Sequence, residues 1–132
     1  MNQSLAATLI TKAEQKAEEL GVNVCIAVTD QGGHLNAFTR MNNAFLGSID
    51  VAVGKAKTSS LFPIPSGVFG KLIREENLLG MENSNQGLIG FGGGHPVFIA
   101  GNQVGAIGIS GATEAQDTAI AEFAVKESEL DG

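Results

Sequence analysis

The chain has 132 residues, 43% of them hydrophobic, a formal net charge of −6, one cysteine, and neither tryptophan nor tyrosine. That length is read as a single domain, 1–132, able to bury about two-thirds of its unfolded surface. Without a basic cluster it has no footprint for nucleic acid. Without a long apolar run or a basic-then-apolar start it has no expected membrane partner and a cytoplasmic address.

In chain order, Leu5, Leu9, Ala13, Ala17 and Leu20 recur at spacings of three and four, which predicts a helix capped by Ser4 and stopped at Gly21. The period then changes to two. Val22, Val24, Ile26 and Val28 share one strand face, the turn Asp30-Gln31-Gly32-Gly33 follows, and a second strand runs from His34 to about Arg40. Ser48 is read as the cap of a second helix burying Ile49, Ala52, Val53 and Ala56 and ended by Pro63 and Pro65. Ser66 is read as the cap of a third helix over 67–77, and 78–86 as loop.

The stretch Gly87–Gly111 holds nine of the 18 glycines and no charged residue. It predicts a strand at 87–91, then two strands, His95–Ala100 and Gln103–Ser110, joined by Gly101-Asn102. Gly92-Gly93-Gly94 marks backbone passing close to another strand, another subunit or a ligand. Thr113 and Gln116 fit a capping box for a last helix burying Ala119, Ile120, Phe123 and Ala124. The order α-β-β-α-α-β-β-β-α implies an α+β fold, a mostly antiparallel five-stranded sheet with flanking helices.

No nucleotide fingerprint survives testing. His95 stands where Gly-x-Gly-x-x-Gly needs its last glycine, and Gly54-Lys55 is followed by Ala56. A nucleophile elbow fails because Ala112 replaces its second glycine. Cys25 lies in a strand as a small buried hydrophobe and allows no disulfide within one chain. His34 and His95 each start a strand after glycines, at a rim. There a histidine is ordinarily just solvated, or else it ligates. Zinc would need more ligands than Cys25, His34 and His95 supply, whereas haem needs one axial imidazole. His34 is the favoured ligand, because Gly32-Gly33 leaves room for a flat macrocycle and Arg40, at the end of the same strand, could meet a propionate. His95 is the second candidate, and Gly93 and Gly94 are candidate contacts. Asp30 is read as a turn former and Asp117 as a first-turn helix residue.

Three blocks, VTDQGGHLNAFTRMNNA, SIDVAVGKAKTSSLFPIPS and GGGHPVFIAGNQVGAIGISGATEAQDTAIAEFA, resemble the GlcG/HbpS-like family. That family includes the C-terminal domain of PduO-type proteins and is often labelled haem-degrading. The resemblance falls on Asp30, Gly32 and Gly33, on Arg40 and Met41, on Gly92–Gly94 and Pro96, on Gly105–Gly111, and on Gln116 and Asp117. The chain departs from the pattern at Asn42, where aspartate is usual, and at Val97, where isoleucine is. The resemblance implies a profilin-like five-stranded fold, homo-oligomers that are often octamers, and haem or another small-molecule ligand in some members. It does not carry over the cobalamin chemistry of full-length PduO proteins. Two other readings stand beside small-ligand binding. One is an accessory subunit of diol, glycolate or corrinoid catabolism. The other is an enzyme on a small carbonyl or hydroxy acid, with Arg40 holding a carboxylate and a histidine moving protons.

Overall fold

A computed structural model describes residues 1–129. Helix α1 (Gln3–Leu20) leads to strands β1 (Cys25–Asp30) and β2 (Leu35–Arg40), then helices α2 (Ser48–Leu61) and α3 (Ser66–Glu75). Strands β3 (Gly94–Ile99) and β4 (Asn102–Ser110) and helix α4 (Glu114–Glu129) complete the order. The described strands form one antiparallel sheet in the order β2-β1-β4-β3. The α+β architecture with an antiparallel sheet and flanking helices is thus the one expected, but the sheet has four strands and not five.

The missing strand is the one predicted at 87–91. Its backbone donors are turned toward neighbouring segments and are not free to pair in the sheet: the Leu88 N–H reaches the Glu82 carbonyl at 2.7 Å, and the Ile89 N–H reaches the Thr58 hydroxyl at 2.9 Å. Just upstream, 78–86 is not all loop, since Met81–Gln86 forms 3-10 turns interrupted at Ser84 and Asn85.

Alternating side chains give the sheet two differently built faces. Val24, Ile26, Val28, Ile107 and Ile109 pack against Leu9 and the small residues Ala6, Ala13 and Ala17 of α1, and against Ile120, Ala121, Ala124 and Val125 of α4. Full burial of each larger aliphatic there contributes about 1.5–3 kcal/mol. The opposite face, with Cys25 and Ala27, meets Ala52 and Ala56 of α2. Small residues let the helix lie almost on the strand backbone, since a Cβ on Gly108 would fall 2.1 Å from the Ala52 carbonyl oxygen. Burial pushes the Cys25 thiol pKa up, against the pull of the Arg40 charge, so this thiol is a packing atom.

Several ends are made by other residues than expected. Asn2, not Ser4, caps α1, accepting the Leu5 N–H at 2.8 Å, while Gly21 closes the helix as predicted. Ser48 and Ser66 are the first helical residues and not caps. The β3–β4 turn is Ala100-Gly101, one residue earlier than Gly101-Asn102, and both residues take positive φ, 50° and 81°. Such a pair suits the tight turn whose twist matches a hairpin. The capping box holds: Gln116 N–H donates to the Thr113 hydroxyl at 3.1 Å and Thr113 N–H to Gln116 Oε1 at 3.2 Å. On α4 the buried stripe is Asp117, Ile120, Ala121, Ala124 and Val125, whereas Ala119 and Phe123 are half-buried.

Candidate functional site

The sequence candidates fall at opposite ends of the sheet. At one end, the Asp30 carboxylate folds the β1–β2 turn around itself, accepting the Gly32 and His34 N–H groups at 2.9 Å each. Those bonds, first of all the one from the His34 backbone, hold the Asp30 carboxyl below its ordinary pKa. The same oxygen lies 3.2 Å from His34 Nδ1, and the His34 side chain is 81% exposed. An imidazole whose Nδ1 is held by a carboxylate presents Nε2 outward in the tautomer that ligates a metal.

Arg40 lies at the far end of β2, about 20 Å from His34 at strand rise, and its guanidinium donates to the Ala44 carbonyl at 3.2 Å. Within one chain the two are not brought together. Gly93 and Gly94 lie toward the Arg40 end but across β1 and β4, about 14 Å away by strand spacing, whereas His95 is level with Ala37 at the middle of β2. His95 Nδ1 faces the Pro96 carbonyl at 2.9 Å. With Gly92–Gly94 and Pro65, it lines a cavity of about 260 Å3 between α3 and α4.

The same end contains a pair that sequence reasoning did not single out as a site. Lys55 of α2 and Asp117 of α4 are 1% and 4% exposed in their side chains, with Nζ 3.2 Å from Oδ2. Lys55 Nζ also donates to the Ile109 carbonyl at 2.8 Å and sits 5.1 Å from the centre of the Phe91 ring. Asp117 Oδ1 accepts the Ala112 N–H at 3.0 Å. Burial pushes the lysine pKa down and the aspartate pKa up, each opposed by the charge of the other. Gly93 passes directly over the amine: a Cβ there would lie 2.3 Å from the Ile109 carbonyl and 2.8 Å from Lys55 Nζ. The close approach marked by the triple glycine is therefore made to strand β4 and to helices of the same chain.

The pair borders a second cavity of about 310 Å3, lined also by Phe45, Ser48, Phe91 and Glu114. Glu114 closes its rim by accepting the Gly92 N–H at 2.6 Å. A signal for Lys55 exists in the sequence, because it falls at i+3 from Ala52 and beside Ala56, on the stripe assigned to the core. No group of three or more His, Cys, Asp or Glu among the described residues is placed to hold a metal ion.

An antiparallel four-stranded sheet layered between helices, with glycine-built backbone over a buried amine, defines a small α+β domain with ligand-sized clefts at the sheet's ends. The chain belongs to the HbpS-like family, described as haem degrading protein HbpS-like, whose family model matches residues 1–126. It is 35% identical to an uncharacterized 15.0 kDa protein in the dhaT-dhaS intergenic region of Citrobacter freundii, over 95% of this chain and 96% of that one. It is 34% identical to the corrinoid adenosyltransferase PduO of the same organism, over 89% of this chain but only 36% of that protein. Among solved structures it is similar to the PduOC:heme complex, with a TM-score of 0.89 and 29% identity over 96% of this chain and 93% of that one.

Proposed function

We propose that the chain, acting as one unit over residues 1–132, is a cytoplasmic homo-oligomer that binds a small planar ligand, haem in particular. The observation that supports this is the likeness to a haem-bound structure over nearly the whole chain. The donor chemistry here fits: haem needs one strong axial ligand, and His34 offers Nε2 from an exposed ring steadied by Asp30. Because Arg40, Gly93, Gly94 and His95 lie far from His34 in one chain, their part in the site is to meet the macrocycle from a neighbouring copy. The expected result is a Soret shift when haemin is titrated into the wild type, lost in His34→Ala and retained in His95→Ala. The reverse pattern would move the axial ligand to His95, and no shift in the wild type would overturn the haem reading.

Among the described residues no helix is long and apolar enough to cross a membrane, yet Phe45, Leu46 and Leu79 are 73%, 71% and 85% exposed. Large apolar side chains left in water suit burial between copies in a closed assembly. Light scattering is expected to give the mass of eight chains. A one-chain mass across the micromolar range would rule self-association out.

A further inference from the structure

Lys55 and Asp117 play no part in the haem reading, and packing alone is a poor reason for them. Two buried charges repay their desolvation only in part, and well-packed apolar residues often serve as well or better. Buried as it is, the pair also borders a cleft: Phe91, whose ring lies over the amine, is 47% exposed, and Phe45 flanks the same cavity. The ammonium form has three N–H donors, and Ile109 and Asp117 account for two. The cavity's charged residues are one lysine against two carboxylates, Asp117 and Glu114. That balance disfavours an anionic ligand and leaves an uncharged one as the natural occupant.

We propose that Lys55 is a carbonyl-capturing amine, whose Nζ, beside Asp117 in the cavity beneath Phe91, condenses with a small uncharged aldehyde or ketone. The nitrogen lone pair forms a C–N bond to the carbonyl carbon while the C=O π pair moves to oxygen, which takes up a proton. The resulting carbinolamine then loses water as the nitrogen releases its proton, giving the imine. Carbon and nitrogen keep their combined oxidation level, so no oxidant or reductant is required. Asp117, 3.2 Å from Nζ, is placed to accept the proton that frees the lone pair and to return one to the departing hydroxyl. Burial of the amine, which lowers its pKa, makes the nucleophilic form accessible nearer neutrality than on a surface lysine. The ring of Phe91 stands over Nζ, 5.1 Å away, and narrows the approach to it.

The test is reductive trapping of the intact protein with acetaldehyde and cyanoborohydride at neutral pH, followed by peptide mapping of all six lysines and the N-terminal amine. Lys55 is expected to be ethylated about tenfold faster than Lys12 or Lys126, and Phe91→Ala is expected to raise that rate severalfold by uncovering Nζ. Lys55→Met is expected to abolish the fast site while leaving the haemin titration unchanged, which separates this inference from the haem reading. Trapping of Lys55 no faster than the surface lysines, in both the wild type and Phe91→Ala, would overturn it. Because the mapping is done on the wild type, the outcome does not depend on whether Lys55→Met folds.

Discussion

Asp117→Ala is expected to cost about 3–5 kcal/mol, the range for removing one partner of a buried pair. Against a total of roughly 5–15 kcal/mol for a domain of this kind, that is a large share of the stability. Two groups are stranded at once: the Lys55 amine keeps only the Ile109 carbonyl, and the Ala112 N–H loses its acceptor. Deprotonation of Lys55 can relieve the charge but not the missing hydrogen bonds. The double variant Lys55→Met with Asp117→Leu removes both charges together and is expected to recover most of the loss, the Ala112 N–H and the Ile109 carbonyl having lost these partners. Urea unfolding of the two variants beside the wild type measures this. Asp117→Ala within 1 kcal/mol of the wild type would show that the pair is not a buried ion pair in energetic terms.

The pH dependence of the same pair carries a sign. Asp117 has a folded pKa raised above its ordinary 3.8, so the folded state holds a proton that the unfolded chain has released. Its favourable contribution is complete below 3.8 and is lost as pH rises through the folded value. Lys55 has a folded pKa lowered from its ordinary 10.5, so its contribution is complete above 10.5 and is lost as pH falls through the folded value. Both trends follow from burial, and both disappear in the double variant.

Much of this was legible in the chain. The shift from a period of three and four to a period of two located α1 and β1, and Thr113 with Gln116 announced α4. Failures cluster where a local pattern met a tertiary demand. Gly87–Phe91 has the residues of a strand, but the Thr58 hydroxyl and the Glu82 carbonyl take its donors, and nothing in periodicity reports that. Ala100 takes a positive φ that favours glycine or asparagine, which hid the true turn behind Gly101-Asn102. The deepest miss was Lys55, which entered only as part of a failed phosphate-loop motif although its phase on α2 puts it in the core. Asp117 was hidden in the same way, since a carboxylate in a first helical turn already has a sufficient explanation in the helix dipole. The two pair across 62 positions of sequence, a distance that only the fold closes.

Gly93→Ala is expected to be the other severe change, and a control within the same hairpin separates its two causes. Gly93 has φ of 130° and Gly101 has φ of 81°, so alanine is strained at both positions, by about 1–2 kcal/mol. Around Gly101 nothing lies within 4 Å of the added carbon, whereas at Gly93 it meets the Ile109 carbonyl at 2.3 Å and Lys55 Nζ at 2.8 Å. The lysine end could shift, but the Ile109 carbonyl is strand backbone, and its neighbouring N–H is bonded to the Gly93 carbonyl at 2.9 Å. Overpacking of that kind adds about 1–3 kcal/mol. Gly93→Ala should therefore lose about 3 kcal/mol in all, and Gly101→Ala no more than about 2 kcal/mol. Displacing Nζ from Ile109 should also alter trapping of Lys55 by acetaldehyde, an effect Gly101→Ala has no means to produce. Equal losses for the two variants in urea unfolding would mean that strain alone acts at Gly93, and that its backbone does not hold the amine in place.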